Sequence, residues 1–166
     1  MLQPVRRRTW APKGQTPIQS CWDRHDRLSV LCGITLSSKQ ARMGVYFETR
    51  PYNIDVETVV DFIRQLRKTL GRRLILICDR WSVHRAAAQQ ICANFQRTVE
   101  IEFLPGYAPD LNPVEGIWAH TKHSDLANFL PDNLLHLEAN VWLSLIAKRS
   151  RPFLIRSFFH HARLAL

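Results

Sequence analysis

Residues 73–79 read RLILICD, and residues 103–118 read FLPGYAPDLNPVEGIW. The first stretch is a continuous apolar run closed by an acid. That is the pattern of a central parallel strand buried on both faces. Ligands of open α/β sheets gather beyond the carboxyl ends of the strands, so Asp79 is expected at a site opening. Two structural roles compete for it: a cap for the helix expected to begin near Ser82, or an ion pair with Arg80. The second stretch is a proline-rich loop leading into a helix expected over residues 113–128. Asn112 suits the N-cap, Pro113 the first helical position, and Glu115 the acid position of a capping box. Glu115 is equally placed to face a metal ion. Glutamine separates the two readings, because it still caps but is a poor ligand for a hard divalent cation.

Working outward, residues 27–36 (RLSVLCGITL) and 42–48 (RMGVYFE) read as two strands, and the short gap between them predicts an antiparallel hairpin. Apolar residues at 56, 59, 60, 63, 66 and 70 recur at helical spacing, so a helix is expected over residues 55–70, capped by Asn53 or Asp55 and stopped by Gly71. A second helix is expected over residues 83–95, a strand over 99–104, and two closing helices over 132–148 and 152–164. Strands mixed with helices at these spacings indicate an α/β layered sheet. The chain divides into a basic loop (residues 1–17), a core (18–128) and C-terminal helices (129–166), all in one domain. Its 166 residues suffice for one core and not comfortably for two.

The formal charge is +9, with a sequence pI near 10.0. Such an excess of cations calls for a polyanionic partner, and nucleic acid comes first because each neutralised phosphate releases counterions. An anionic membrane surface is the competing partner, but no apolar run of 18 residues exists to span a bilayer. The basic N-terminus lacks the apolar stretch of a signal peptide, so a cytoplasmic protein is expected. Cys21, Cys32, Cys78 and Cys92 form no C-x-x-C pair and read as reduced thiols. His120 and His123 lie three apart on a helix but lack a third ligand nearby, so ordinary surface histidines are the simpler reading.

Asp79 and Glu115 are separated by 35 residues, enough for a helix, a strand and a loop to bring the second acid back towards the first. Paired metal ions about 3.5–4 Å apart activate the attacking oxygen and stabilise the leaving one in phosphodiester cleavage. That chemistry needs several carboxylates, and a basic surface around them would hold a DNA backbone.

LICDRWSVHR at residues 76–85, followed by FLPGYAPDLNPVEGIWAHTK at 103–122, resembles the DDE transposases of bacterial insertion sequences related to the mariner group. RRTWAPKGQTP at residues 7–17 is similar to the loop that follows the first strand in that family. The resemblance spans about residues 6–128. It implies a ribonuclease-H-like mixed sheet flanked by helices, with magnesium- or manganese-dependent cutting of element ends and strand transfer into target DNA. Carried over by position, Asp79 matches the second catalytic acid and metal ligand, and Glu115 the third. His84 matches a histidine following the second acid and is a candidate auxiliary residue, although it also reads as an ordinary helix-start residue. Trp118 matches the family tryptophan and also suits a core position. Lys122 matches a lysine beyond it and joins Arg6, Arg7, Arg8 and Lys13 as candidate DNA contacts. The implied location is the bacterial cytoplasm, on the nucleoid.

The sequence departs from the family in two ways. Arg80 stands where asparagine is common, and a cation there would compete with metal for Asp79. The first catalytic Asp, on the central first strand, has no counterpart, because Met1 falls inside the loop that follows that strand. Asp23 and Asp26 lie in a turn and are poor substitutes. The chain is therefore expected to be inactive alone, with an open sheet that an upstream transposase fragment or a second copy completes. The competing functions are a non-catalytic DNA-binding or oligomerising remnant, resting on Arg72, Arg73, Lys148, Arg149 and Arg151 as well as the N-terminal cations, and an unrelated α/β domain whose two acids only cap helices.

Overall fold

The computed structural model describes residues 5, 7–18, 27–39 and 42–164. Arg6, Cys21, Asp23 and Asp26 lie outside the described residues. The chain forms β1 (Ser29–Leu36), β2 (Met43–Arg50), α1 (Val56–Leu70), β3 (Leu74–Cys78), α2 (Ser82–Phe95), β4 (Val99–Phe103), α3 (Pro113–His120), α4 (Leu134–Arg149) and α5 (Pro152–His161). A single 3-10 turn, Pro109–Leu111, precedes α3, and a π-helical turn, Thr121–Asp125, follows it. None of the helices described is long and apolar enough to cross a membrane.

Local chemistry sets the boundaries of α1. The Asp55 carboxylate accepts from the Thr58 backbone N–H at 2.8 Å and the Thr58 hydroxyl at 2.6 Å. These bonds, the side-chain one foremost, hold its carboxyl below the ordinary value. At the far end Gly71 adopts the left-handed conformation (φ 61°) and donates to the Arg67 carbonyl. The buried stripe Val59, Val60, Phe62, Ile63 and Leu66 then faces the core.

The strands form two separate pairs. β1 and β2 are antiparallel, with Ser29 opposite Arg50 and Leu36 opposite Met43. β3 and β4 are parallel, with Leu74 opposite Val99 and Cys78 opposite Phe103. Among the described residues nothing pairs with the second edge of β1 or of β3. One helical layer nevertheless serves both pairs. The core around α1, Ala87 and Ile91 packs on Leu31 and Tyr46 from the first pair, and on Leu74, Leu76 and Ile101 from the second.

This arrangement corrects the sequence-based expectation for β3. Its parallel pairing holds, but it is not covered on both faces: Ile75 is 69% and Ile77 61% exposed. These two share their face with Glu100 and Glu102 of β4, and no described element lies over it. The hydrophobic run therefore reports one buried face and one bare one.

A second core joins the other face of β1–β2 to the C-terminal helices. Val45, Ile117, Leu126, Leu137, Val141, Leu145, Ile155 and Phe159 form its centre, with Val30, Ile34, Phe47 and Trp118 around them. Trp118 thus takes the core position. The helix expected to run to residue 128 ends its α-helical hydrogen bonding at His120. The wider π turn then brings Thr121 and Asp125 against α4, where Ser144 donates to Asp125 at 2.6 Å and to Thr121 at 3.1 Å.

Candidate active site

Asp79 follows the last residue of β3, where the strand stops and the chain turns into α2. Its Oδ1 accepts from the Trp81 backbone N–H at 3.0 Å and lies 2.7 Å from Nδ1 of His84. A carboxylate only accepts, so the ring nitrogen carries the proton in that contact. The second oxygen, Oδ2, has no partner among the described residues, and the side chain is 48% exposed. Arg80 does not pair with Asp79. Its Nε donates instead to the Leu104 carbonyl at 3.0 Å. The Leu104 N–H in turn donates to the Cys78 carbonyl at 2.8 Å. Together these bonds tie the tip of β3 to the start of the proline-rich loop.

The tip is also poor in competing donors. Burial, followed by the nearby Asp79 charge, pushes the Cys78 thiol up to about 12. Burial likewise takes Cys32 to about 12. Both remain neutral thiols near pH 7 and do not act as thiolate ligands.

Glu115 lies at the third position of α3. The expected capping box is only half made. The Asn112 side chain accepts from the Val114 N–H at 3.1 Å, and the Glu115 N–H bonds the Asn112 carbonyl at 3.0 Å. The Glu115 carboxylate itself takes no hydrogen bond or ion pair among the described residues, and the residue is exposed. The cap therefore does not occupy it.

The first turn of α3 is held from behind. A Cβ added at Gly116 would lie 2.6 Å from Cδ1 and 2.9 Å from Cβ of Phe158 on α5. The Phe158 Cβ is not a flexible tip, so the helices would have to separate. Gly116→Ala is expected to cost about 1–3 kcal/mol, read as a lowered denaturation midpoint, because overpacked cores lose that much. No shift in that midpoint would mean the two helices yield freely.

The basic candidates are dispersed. Arg7, Arg8 and Lys13 are exposed in the N-terminal loop, and Lys122 is exposed in the π turn. Asn128 links the two regions. Its N–H donates to the Val5 carbonyl at 3.0 Å, its side-chain oxygen accepts from the Arg7 N–H at 2.7 Å, and its side-chain amide donates to the Arg7 carbonyl at 3.1 Å. Asn128 has a positive φ of 58°, a conformation asparagine tolerates better than most residues. No sequence signal singled it out, since its partners lie more than 120 residues away.

Asp79 and Glu115 offer hard oxygen donors of the kind magnesium and manganese take. Among the described residues no cluster of three His, Cys, Asp or Glu side chains is present. The two acids thus fit part of a divalent-cation site, not a closed set.

The fold and these two acids describe an α/β domain whose free carboxylates sit at a strand end and a helix start. A sequence profile for the DDE superfamily endonuclease matches residues 1–133, and the chain belongs to that family. The crystal structure of the Mos1 strand transfer complex is similar in fold, with a TM-score of 0.63 at 16% sequence identity. The match covers 98% of this chain and 47% of the other, so this chain spans about half the length of that protein. No curated protein matches the chain.

Proposed function

We propose that this chain is a segment of a transposase catalytic domain, of the kind carried by bacterial insertion sequences related to mariner, which cleaves and joins DNA once an additional strand completes its sheet. The observation that carries the reading is the free Glu115 carboxylate in a chain of the DDE superfamily endonuclease family. A helix-start acid needed only for capping would have closed the capping box.

In this reading Asp79 and Glu115 hold magnesium or manganese, together with a third acid from outside the described residues. A bound divalent cation would supply activation of the attacking oxygen and stabilisation of the leaving oxygen. His84 fixes the rotamer of Asp79 through Oδ1 and leaves Oδ2 directed elsewhere. Arg7, Arg8, Lys13 and Lys122 contact phosphates, as does Arg6, which lies outside the described residues. The Mos1 protein is seen in a strand transfer complex, and strand transfer into target DNA is the activity proposed here.

The open edges of β1 and β3 support the strand. Reading β2–α1–β3 as a crossover makes β2 and β3 parallel. A strand between β1 and β3 would then run antiparallel to β1 and parallel to β3. An upstream segment of the same product, a separate fragment or a second copy of the chain are the possible donors. Ladder hydrogen bonds contribute roughly 0.5–1.5 kcal/mol each. A five-residue strand therefore matters against a domain stability of about 5–15 kcal/mol.

The test begins with the DNA upstream of Met1, read in all frames for a strand ending in Asp. The chain fused to that strand is expected to melt cooperatively and to nick element-end DNA with manganese, whereas the chain alone does neither. Manganese-dependent nicking by the chain alone would overturn the incompleteness part of the proposal.

A second reading rests on the missing third donor: a DNA-binding remnant without catalysis. It predicts binding that weakens steeply with salt and no nicking by the fused protein either.

A further inference from the structure

On α4 the buried residues Leu137, Val141, Ser144, Leu145 and Lys148 occupy one side. The opposite side is apolar too. Leu135 is 76%, Trp142 43%, Leu143 65% and Ile146 43% exposed. With Ala139, the positions 135, 139, 142 and 146 follow the i, i+4, i+7, i+11 spacing of a helix–helix seam. A helix that is apolar on opposite faces is normally covered on both. The exposed stripe leaves a few hundred Å² of apolar surface in water, the size at which patches mark association sites. No described element covers it.

We infer that this face of α4 pairs with the same face of a second copy of the chain, the two helices running antiparallel. The charge along the helix selects this occupant and this direction. Asp132 precedes the N-terminus, and Arg149 and Arg151 stand at the C-terminus. In an antiparallel pair that sets Leu135 opposite Ile146, Ala139 comes opposite Trp142 and Asp132 opposite Arg149. A parallel pair would instead place Arg149 and Arg151 against their own copies. The helix dipoles also oppose favourably in the antiparallel arrangement. The seam is self-complementary, as a twofold contact requires.

The patch is smaller than the roughly 800 Å² per partner of a standard interface. The pair is therefore expected to be weak and concentration-dependent, with a Kd in about the micromolar range. It is separate from the open edges of β1 and β3 and does not depend on the proposed nuclease reading.

Sedimentation equilibrium on the full chain, in moderate salt to screen its net positive charge, is expected to show a monomer–dimer equilibrium. Leu135→Glu and Leu143→Glu are each expected to raise the dissociation constant about tenfold or more, as loss of a central interface contact does. Both side chains are exposed, so the far-UV circular dichroism should not change. Association that persists in both variants would come from elsewhere, such as the open strand edges, and would overturn the inference. A chain that stays monomeric at every concentration would do the same. Cross-linking tests the direction. In a Cys92→Ser background, a short bismaleimide should join Leu135→Cys chains to Ile146→Cys chains in a mixture. Links only between two Leu135→Cys chains would exclude the antiparallel arrangement. If the chain fused to its upstream strand is monomeric and its α4 face is shielded from labelling, that segment covers the stripe and the second copy does not.

Discussion

In the chain completed by an upstream strand, Glu115→Gln is expected to reduce DNA nicking by about three orders of magnitude, equivalent to roughly 4 kcal/mol of transition-state stabilisation. Stability should stay within about 0.5 kcal/mol, the usual range for a surface substitution. The reason is the half-made capping box. Asn112 already caps the helix through Val114, and the Glu115 carboxylate bonds nothing. Glutamine therefore loses only the charged oxygen that a hard cation would take. Asp79→Asn should behave alike, because its amide oxygen can still accept from Trp81 and His84. Calorimetric titration with manganese gives a second readout: either substitution should weaken binding. Unchanged nicking in Glu115→Gln would remove Glu115 from the proposed site.

Asp125→Asn is expected to have the largest effect on stability, about 3–5 kcal/mol, as found when one partner of a buried ion pair is removed. Lys148 is 1% exposed on α4, and its Nζ lies 2.5 Å from Asp125 Oδ2 and 2.8 Å from Ser144 Oγ. Loss of the carboxylate strands a buried ammonium without its counter-charge. In a chain of this size each kcal/mol moves Tm by about 2–4 °C, so a fall of roughly 10 °C is the readout. Lys148→Met should cost less, because the Asp125 side chain is 28% exposed and can turn to water. A smaller loss in Asp125→Asn than in Lys148→Met would contradict this account.

The pair also sets a pH dependence. Burial pushes the Asp125 carboxyl up, but hydrogen bonds from Lys148 and Ser144, with the Lys148 and His120 charges, outweigh it and hold the group below its ordinary value. A lowered folded-state value means that this stabilisation is fully present above the ordinary carboxylate range and disappears as pH falls through the folded value. The gap between the native chain and Asp125→Asn should therefore narrow in acid.

The order of strands and helices was legible because local rules suffice for it. Apolar spacing defines α1, Asp55 and Gly71 bound it, and the short gap after β1 gives the hairpin. The candidate acids were legible from a run ending in Asp and a proline-capped helix start. Three features were not. The bare face of β3 escaped because a run of Leu and Ile looks the same whether one face or two are covered. The π turn escaped because its cause is tertiary: Ser144 and Lys148 bind Asp125 across 19 and 23 residues of chain. Arg80 offered a choice between a neighbouring carboxylate and a carbonyl 24 residues on, which spacing alone does not resolve.

The join between α3 and the C-terminal helices has a practical consequence for anyone cutting this gene. The family profile stops at residue 133, an inviting place to end an expressed fragment. Such a cut would discard Lys148, Phe158 and the apolar wall behind β1 and β2, leaving Ile117 and Val45 facing water. Fragments ended at the profile boundary should emerge insoluble for that reason alone. Their failure would carry no information about the chemistry of Asp79 and Glu115.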